Sequence, residues 1–155
     1  MSWHDLIPKT KISQETMEAL KPVMEGESLF HRGQYLEAEA MYGKALDIFP
    51  PKSAGRVLIF NKLGILYEKM GDTVRALYSY EKSVEEGALT PFTYQRLCCL
   101  NLEAGRFSQA LNSAHKGIKA LKKARTSIPH EIYFWLVFQR LKRKISSLMR
   151  RGQRH

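Results

Sequence analysis

Three glycines, Gly33, Gly71 and Gly105, punctuate the chain at spacings of 38 and 34 residues, and a common apolar pattern surrounds them. The pattern is fullest at Gly71. Phe60, Leu63, Gly64 and Tyr67 precede it at spacings of three, one and three, and Asp72, Ala76 and Tyr80 follow at intervals of four. Such spacings mark one face of a helix. Gly71-Asp72 supplies a stop and a start, with a glycine past the first helix and a carboxylate to cap the second. Gly64 and Ala76 are small where two antiparallel helices touch, while Leu63, Tyr67 and Tyr80 fill the seam around the contact.

An aromatic, then Leu-Gly, then Tyr on one helix, with Ala and an aromatic four residues later on the next, resembles the tetratricopeptide repeat. The resemblance implies an all-α, right-handed α-solenoid of antiparallel helix hairpins. Three copies are expected, at 19–52, 57–90 and 91–124, after a lead-in over 1–18 and before a basic capping helix and tail over 126–155.

The first copy keeps Gly26, Gly33, Ala38 and Tyr42, with Pro50 at its end, and departs at Pro22 and Leu29. Ser13 is a candidate cap for a short helix through Leu20, and Pro22 either kinks that helix or opens a new one. The four residues beyond the usual 34 fall at Ser53-Ala54-Gly55-Arg56, about one helical turn, so the helix capped by Ser53 is expected to begin early. In the third copy Thr90-Pro91 opens the first helix. Tyr94, Leu97, Ala110 and Ala114 keep the packing positions there, while Cys98 replaces the glycine and Asn101 the tyrosine.

Charge divides the chain. Residues 1–105 hold 12 Lys/Arg against 14 Asp/Glu, whereas 106–155 hold 13 against the single acid Glu131. No apolar run approaches the roughly 18 to 20 residues that span a bilayer, and the start lacks the character of a secretory leader. A cytoplasmic protein is expected, with Arg140-Leu141-Lys142-Arg143-Lys144 also suiting nuclear import. Cys98 and Cys99 are adjacent and read as small buried thiols. The five histidines are scattered, and no phosphate loop, nucleophile elbow or zinc motif is present. Neither an enzyme, a cofactor nor a metal is therefore expected.

The resemblance implies a groove lined by the first helix of each hairpin, holding a peptide or helix of a partner protein. Its outward positions are Glu27, Phe30 and His31, then Asn61, Lys62, Ile65 and Lys69, then Gln95, Arg96 and Cys99. Asn61 and Gln95 are equivalent, as are Lys62 and Arg96. Amides suit a peptide backbone and the cations suit carboxylates, Arg96 in two-pronged fashion, so an acidic partner is expected. One branch of the family clamps a chaperone's C-terminal carboxylate. At that branch's clamp positions stand Val23, Glu27, Lys62, Phe92 and Arg96, of which Arg96 alone fits, so this clamp is not expected.

The last helix is expected from about His130 to Arg151, with Phe134, Phe138, Leu141, Ile145 and Leu148 as its packed stripe. Seven successive apolar residues, 132–138, cover every side of two turns. Ile132, Tyr133 and Leu136 are thus left as a patch for self-association or for a partner helix, unless the lead-in with Trp3 folds over them. Lys116, Lys119, Lys122, Lys123, Arg140, Lys142, Arg143 and Lys144 make a basic surface. It suits a solvated face, an acidic protein, an anionic lipid, or RNA or DNA; nucleic-acid binding through this basic third is the alternative function.

Overall fold

A computed structural model describes residues 14–123 and 128–152, and every regular element among them is helical. The helices are α1 (Gln14–His31), α2 (Tyr35–Ile48), α3 (Ala54–Lys69), α4 (Thr73–Glu85), α5 (Pro91–Glu103), α6 (Phe107–Lys123) and α7 (Ile128–Gly152). They fall into two compact units, residues 1–50 and 51–155. No described helix is long and apolar enough to cross a membrane.

The first unit is the hairpin α1·α2. Ala19, Val23, Ala38, Tyr42 and Ala45 are buried in its seam. A β-carbon on Gly26 would lie 2.7 Å from the Tyr42 ring, so the glycine is what lets the ring in. Of the two alternatives for Pro22, a new helix opening there is not what forms: α1 is one helix from Gln14 to His31 with Pro22 inside it. An interior proline costs about 3 kcal/mol, and burial of Ala19 and Val23 on either side of it offsets that cost. Residues 1–12 and Ser13 lie outside the described residues.

In the second unit α3 pairs with α4, α5 with α6, α4 touches α5, and α7 lies on α6 and α5. The helix ends are made as the local sequence dictates. Ser53 and Asp72 accept from the backbone N–H of Arg56 and Arg75 at 3.2 and 2.9 Å, and Thr90 caps α5 ahead of Pro91. Gly71 adopts φ +76°, a left-handed conformation open to glycine, which lets the N–H of Asp72 return to the Tyr67 carbonyl at 2.8 Å.

The extra residues before α3 are tied to the far end of α4. The Lys52 N–H donates to Glu86 at 2.6 Å and the Arg56 guanidinium donates to the same carboxylate at 2.9 Å. These contacts hold the Glu86 carboxyl below the usual carboxylate range. Helix α3 is accordingly three residues longer than α5, 16 against 13.

The third hairpin inverts the packing of the second. Gly64 faces Tyr80, whereas Cys98 and Ala114 hold the corresponding places and are both fully buried. The larger side chain has moved from the second helix to the first. Asn101, in the place of the usual tyrosine, is buried and donates to the Leu97 carbonyl at 2.8 Å.

Candidate partner-binding surface

Tyr80 organises the face that α3 and α5 present. Its ring enters the space left by Gly64 and meets Phe92 edge-on at 6.2 Å, and its hydroxyl donates to Glu68 at 2.6 Å. Burial first, then that bond, holds the phenol far above its usual pKa. Glu68 in turn accepts both prongs of Arg96, the Nε at 3.0 Å. The guanidinium expected to receive a partner's carboxylate is therefore already engaged by a carboxylate of this chain, and its pKa is raised further by that bond.

The amides are differently placed. The Asn61 carbonyl oxygen accepts from the Thr93 hydroxyl at 2.9 Å, which turns its NH2 away from Thr93, and among the described residues the Gln95 side chain has no hydrogen-bond partner. Asn61 and Gln95 stand 34 residues apart on successive first helices, as do Ile65 and Cys99 one turn further on, and all four are half-buried. Together they make a strip of two amides and two apolar side chains. Lys62 is half-buried and Lys69 exposed beside it.

Helix α7 borders this strip. Burial raises the Cys99 thiol, with the charge of Arg96 opposing the rise, and α7 touches α5. Cys98 is buried, with its thiol pushed up to about 12 by burial. Among the described residues no cluster of His, Cys, Asp or Glu could hold a metal ion.

The remaining groove candidates, Glu27, Phe30 and His31, lie on α1 of the first unit. Glu27 accepts from the Tyr42 hydroxyl at 2.5 Å, and Phe30 packs between His31 and Tyr35 at 5.6 and 5.7 Å. Glu27 is thus part of the hairpin seam as well as of its surface.

Of the basic surface, Lys116, Lys119 and Lys123 line one exposed face of α6. They border a cavity of about 230 Å3 with Leu89 and Tyr94. Arg140, Arg143 and Lys144 are exposed on α7 and Lys142 is half-buried; the Lys122 side chain lies outside the described residues. Ile132, Tyr133 and Leu136 are exposed by 55, 57 and 55%, joined by Trp135 at 49%. Trp3 lies outside the described residues.

Two participants went unread in the sequence. Trp135 stands between Phe134 of the packed stripe and Leu136 of the outer patch, where spacing alone assigns it to neither. Glu68 carried a signal, since it follows Ile65 by three residues on the same helix face and is an acid opposite the cation of the next first helix.

Residues 23–85 match the family described as tetratricopeptide repeat. No curated protein matches the chain by sequence. Among solved structures, the repeat domain of Sgt2 from Aspergillus fumigatus is similar at 19% identity and a TM-score of 0.65, covering 89% of this chain and 83% of that one. The first repeat domain of Spaghetti, bound to an HSP90 peptide, is similar at 16% identity and 0.65, covering 86% and 94%. PcrH, in complex with the chaperone-binding region of PopD, is similar at 16% and 0.62, covering 90% and 96%.

Proposed function

Because this chain carries the tetratricopeptide-repeat fold, we propose that it is a non-catalytic adaptor that holds a segment of a partner protein against α3 and α5. The observation that carries the reading is the pair Asn61 and Gln95, equivalent on successive helices: the Asn61 NH2 and the whole Gln95 amide have no partner among the described residues, and the Asn61 oxygen, bonded to Thr93, keeps a second lone pair. An amide that donates and accepts at once can follow a peptide backbone whatever its side chains are. Ile65 and Cys99 supply the apolar contact that orients the segment. Two proteins of the same fold, Spaghetti and PcrH, each hold a segment of another protein, which supports a segment rather than a small molecule as the occupant.

The chemistry of that segment follows from what the helices have already used. With Arg96 spent on Glu68, the strip selects backbone and apolar character more than negative charge. A chaperone-tail carboxylate is not the occupant, because Glu27, Phe92 and Val23 stand where the clamp needs donors and Arg96 is occupied.

The test is photocrosslinking in cells. A benzophenone amino acid at Gln95 should join the chain to a partner segment, identified by peptide mapping, while the same group at Glu81, exposed on α4, should not. Equal labelling from both positions, or labelling from Glu81 alone, would remove the assignment.

A further inference from the structure

Helix α7 carries two seams. Phe134, Phe138, Leu141 and Ile145 recur at spacings of four, three and four; Phe138 and Ile145 are fully buried, and Phe138 occupies the space that Gly117 leaves open. Shifted by two residues, Ile132, Leu136, Gln139 and Arg143 repeat that spacing. Two residues are about 200° of helix, so the second seam lies on the opposite face. That face is exposed at Ile132, Leu136 and Arg143, is flanked by exposed Tyr133, Trp135 and Arg140, and is half-buried at Gln139. Trp135, Leu136, Gln139, Arg140 and Arg143 line a concavity of about 560 Å3 on it.

We infer that this outer seam docks one amphipathic helix of a partner protein, whose apolar side chains cover Ile132, Trp135 and Leu136 and whose acidic residues meet Arg140 and Arg143. A 4-3-4 spacing is what one helix offers another in side-by-side packing, and from Ile132 to Arg143 it runs about 16 Å, three turns. Charge selects the occupant. Residues 132–152 contain six Lys/Arg and no acid, and among the described residues neither Arg140 nor Arg143 has an ion-pair partner. A second copy of α7 would set cations against cations if parallel, and against Ile132 and Leu136 if antiparallel. A lipid surface favours helices whose apolar and basic sides run together along the axis, whereas here they follow one another. An acidic helix meets both ends of the seam.

The experiment uses the full chain with Trp3→Phe, which leaves Trp135 as its one tryptophan reporter. Two designed helical peptides are titrated in, with Leu at the seam positions of one half and Glu at those of the other, in the two possible orders. One order should bind, shift the Trp135 emission to the blue and weaken as salt rises. Leu136→Asp, and Arg140→Glu with Arg143→Glu, should each weaken it by about tenfold or more with an unchanged helical circular dichroism spectrum. The double charge reversal should take up the same peptide with Lys in place of Glu, and Gln95→Ala should bind as the parent does. The inference is overturned if neither peptide binds, if binding survives Leu136→Asp, or if oligouridine or phosphatidylserine vesicles engage Trp135 more tightly than the peptide. A dimer in sedimentation that Leu136→Asp dissolves would overturn it in favour of self-association.

Discussion

A β-carbon placed on Gly64 would sit 2.6 Å from the ring of Tyr80, so these two residues share a space that admits only one side chain. The ring cannot retreat without giving up its bond to Glu68, and Glu68 holds Arg96. One glycine on α3 thereby sets where α4 and α5 meet it.

Gly64→Ala is expected to destabilise the second unit by about 1–3 kcal/mol, the usual cost of overfilling a packed seam, even though alanine is the better helix former. Gly43, helical in α2 with nothing within 4 Å of its would-be β-carbon, is the opposite case. Gly43→Ala should stabilise by about 0.4–1 kcal/mol. Thermal denaturation of the two variants should move in opposite directions.

Removing the Glu68 carboxylate leaves the Tyr80 hydroxyl and the Arg96 guanidinium without their acceptor. Glu68→Ala should cost about 1–3 kcal/mol, with Glu68→Gln costing less because it can still accept from Tyr80. In a double-mutant cycle with Arg96→Ala the two losses should not add. Additive losses in urea denaturation would show that the pair does not couple α3 to α5.

Acid should weaken the second unit through Glu86 and Asp72. Arg56 and the Lys52 N–H hold the Glu86 carboxyl low, and the Arg75 backbone and side chain do the same for Asp72. A carboxyl that binds its proton less readily when folded stabilises the fold above its unfolded pKa, about 4. That contribution is lost as pH falls through the lower folded value. Melting curves at pH 7 and pH 3 should therefore differ less for Glu86→Gln than for the parent.

Cys98 should be inert in the folded chain, since its thiol is buried and pushed up to about 12. Titration with a chromogenic disulfide at pH 8 should register Cys99 slowly and Cys98 only after denaturant is added. Prompt reaction of both thiols in the native chain would contradict the burial of Cys98.

The hairpins were legible because their signals are local. Gly71 with Asp72, Ser53, and Thr90 with Pro91 each mark a helix end within a few residues, and the spacings of three and four name the buried faces. Position by position, Cys98 reads as a departure and Ala114 as a kept packing position; paired in space they are one packing solution with large and small exchanged. Arg96 read as a free cation because its partner lies 28 residues away on another helix, a distance that helical periodicity does not bridge. On α7 the spacing of Phe134, Phe138 and Ile145 names the inner face and leaves Ile132, Tyr133 and Leu136 outside, whereas Trp135, next to Phe134 of that stripe, falls between the two faces, and its exposure is settled only by how Phe138 seats on α6.

If the strip on α3 and α5 holds a partner segment through its amides, the segment crosslinked at Gln95 carries the decisive measurement. Its synthetic peptide should bind the full chain in calorimetry and lose about tenfold or more in affinity on Gln95→Ala, with the melting temperature unchanged and little dependence on salt. Equal affinity for the parent and Gln95→Ala would contradict the claim.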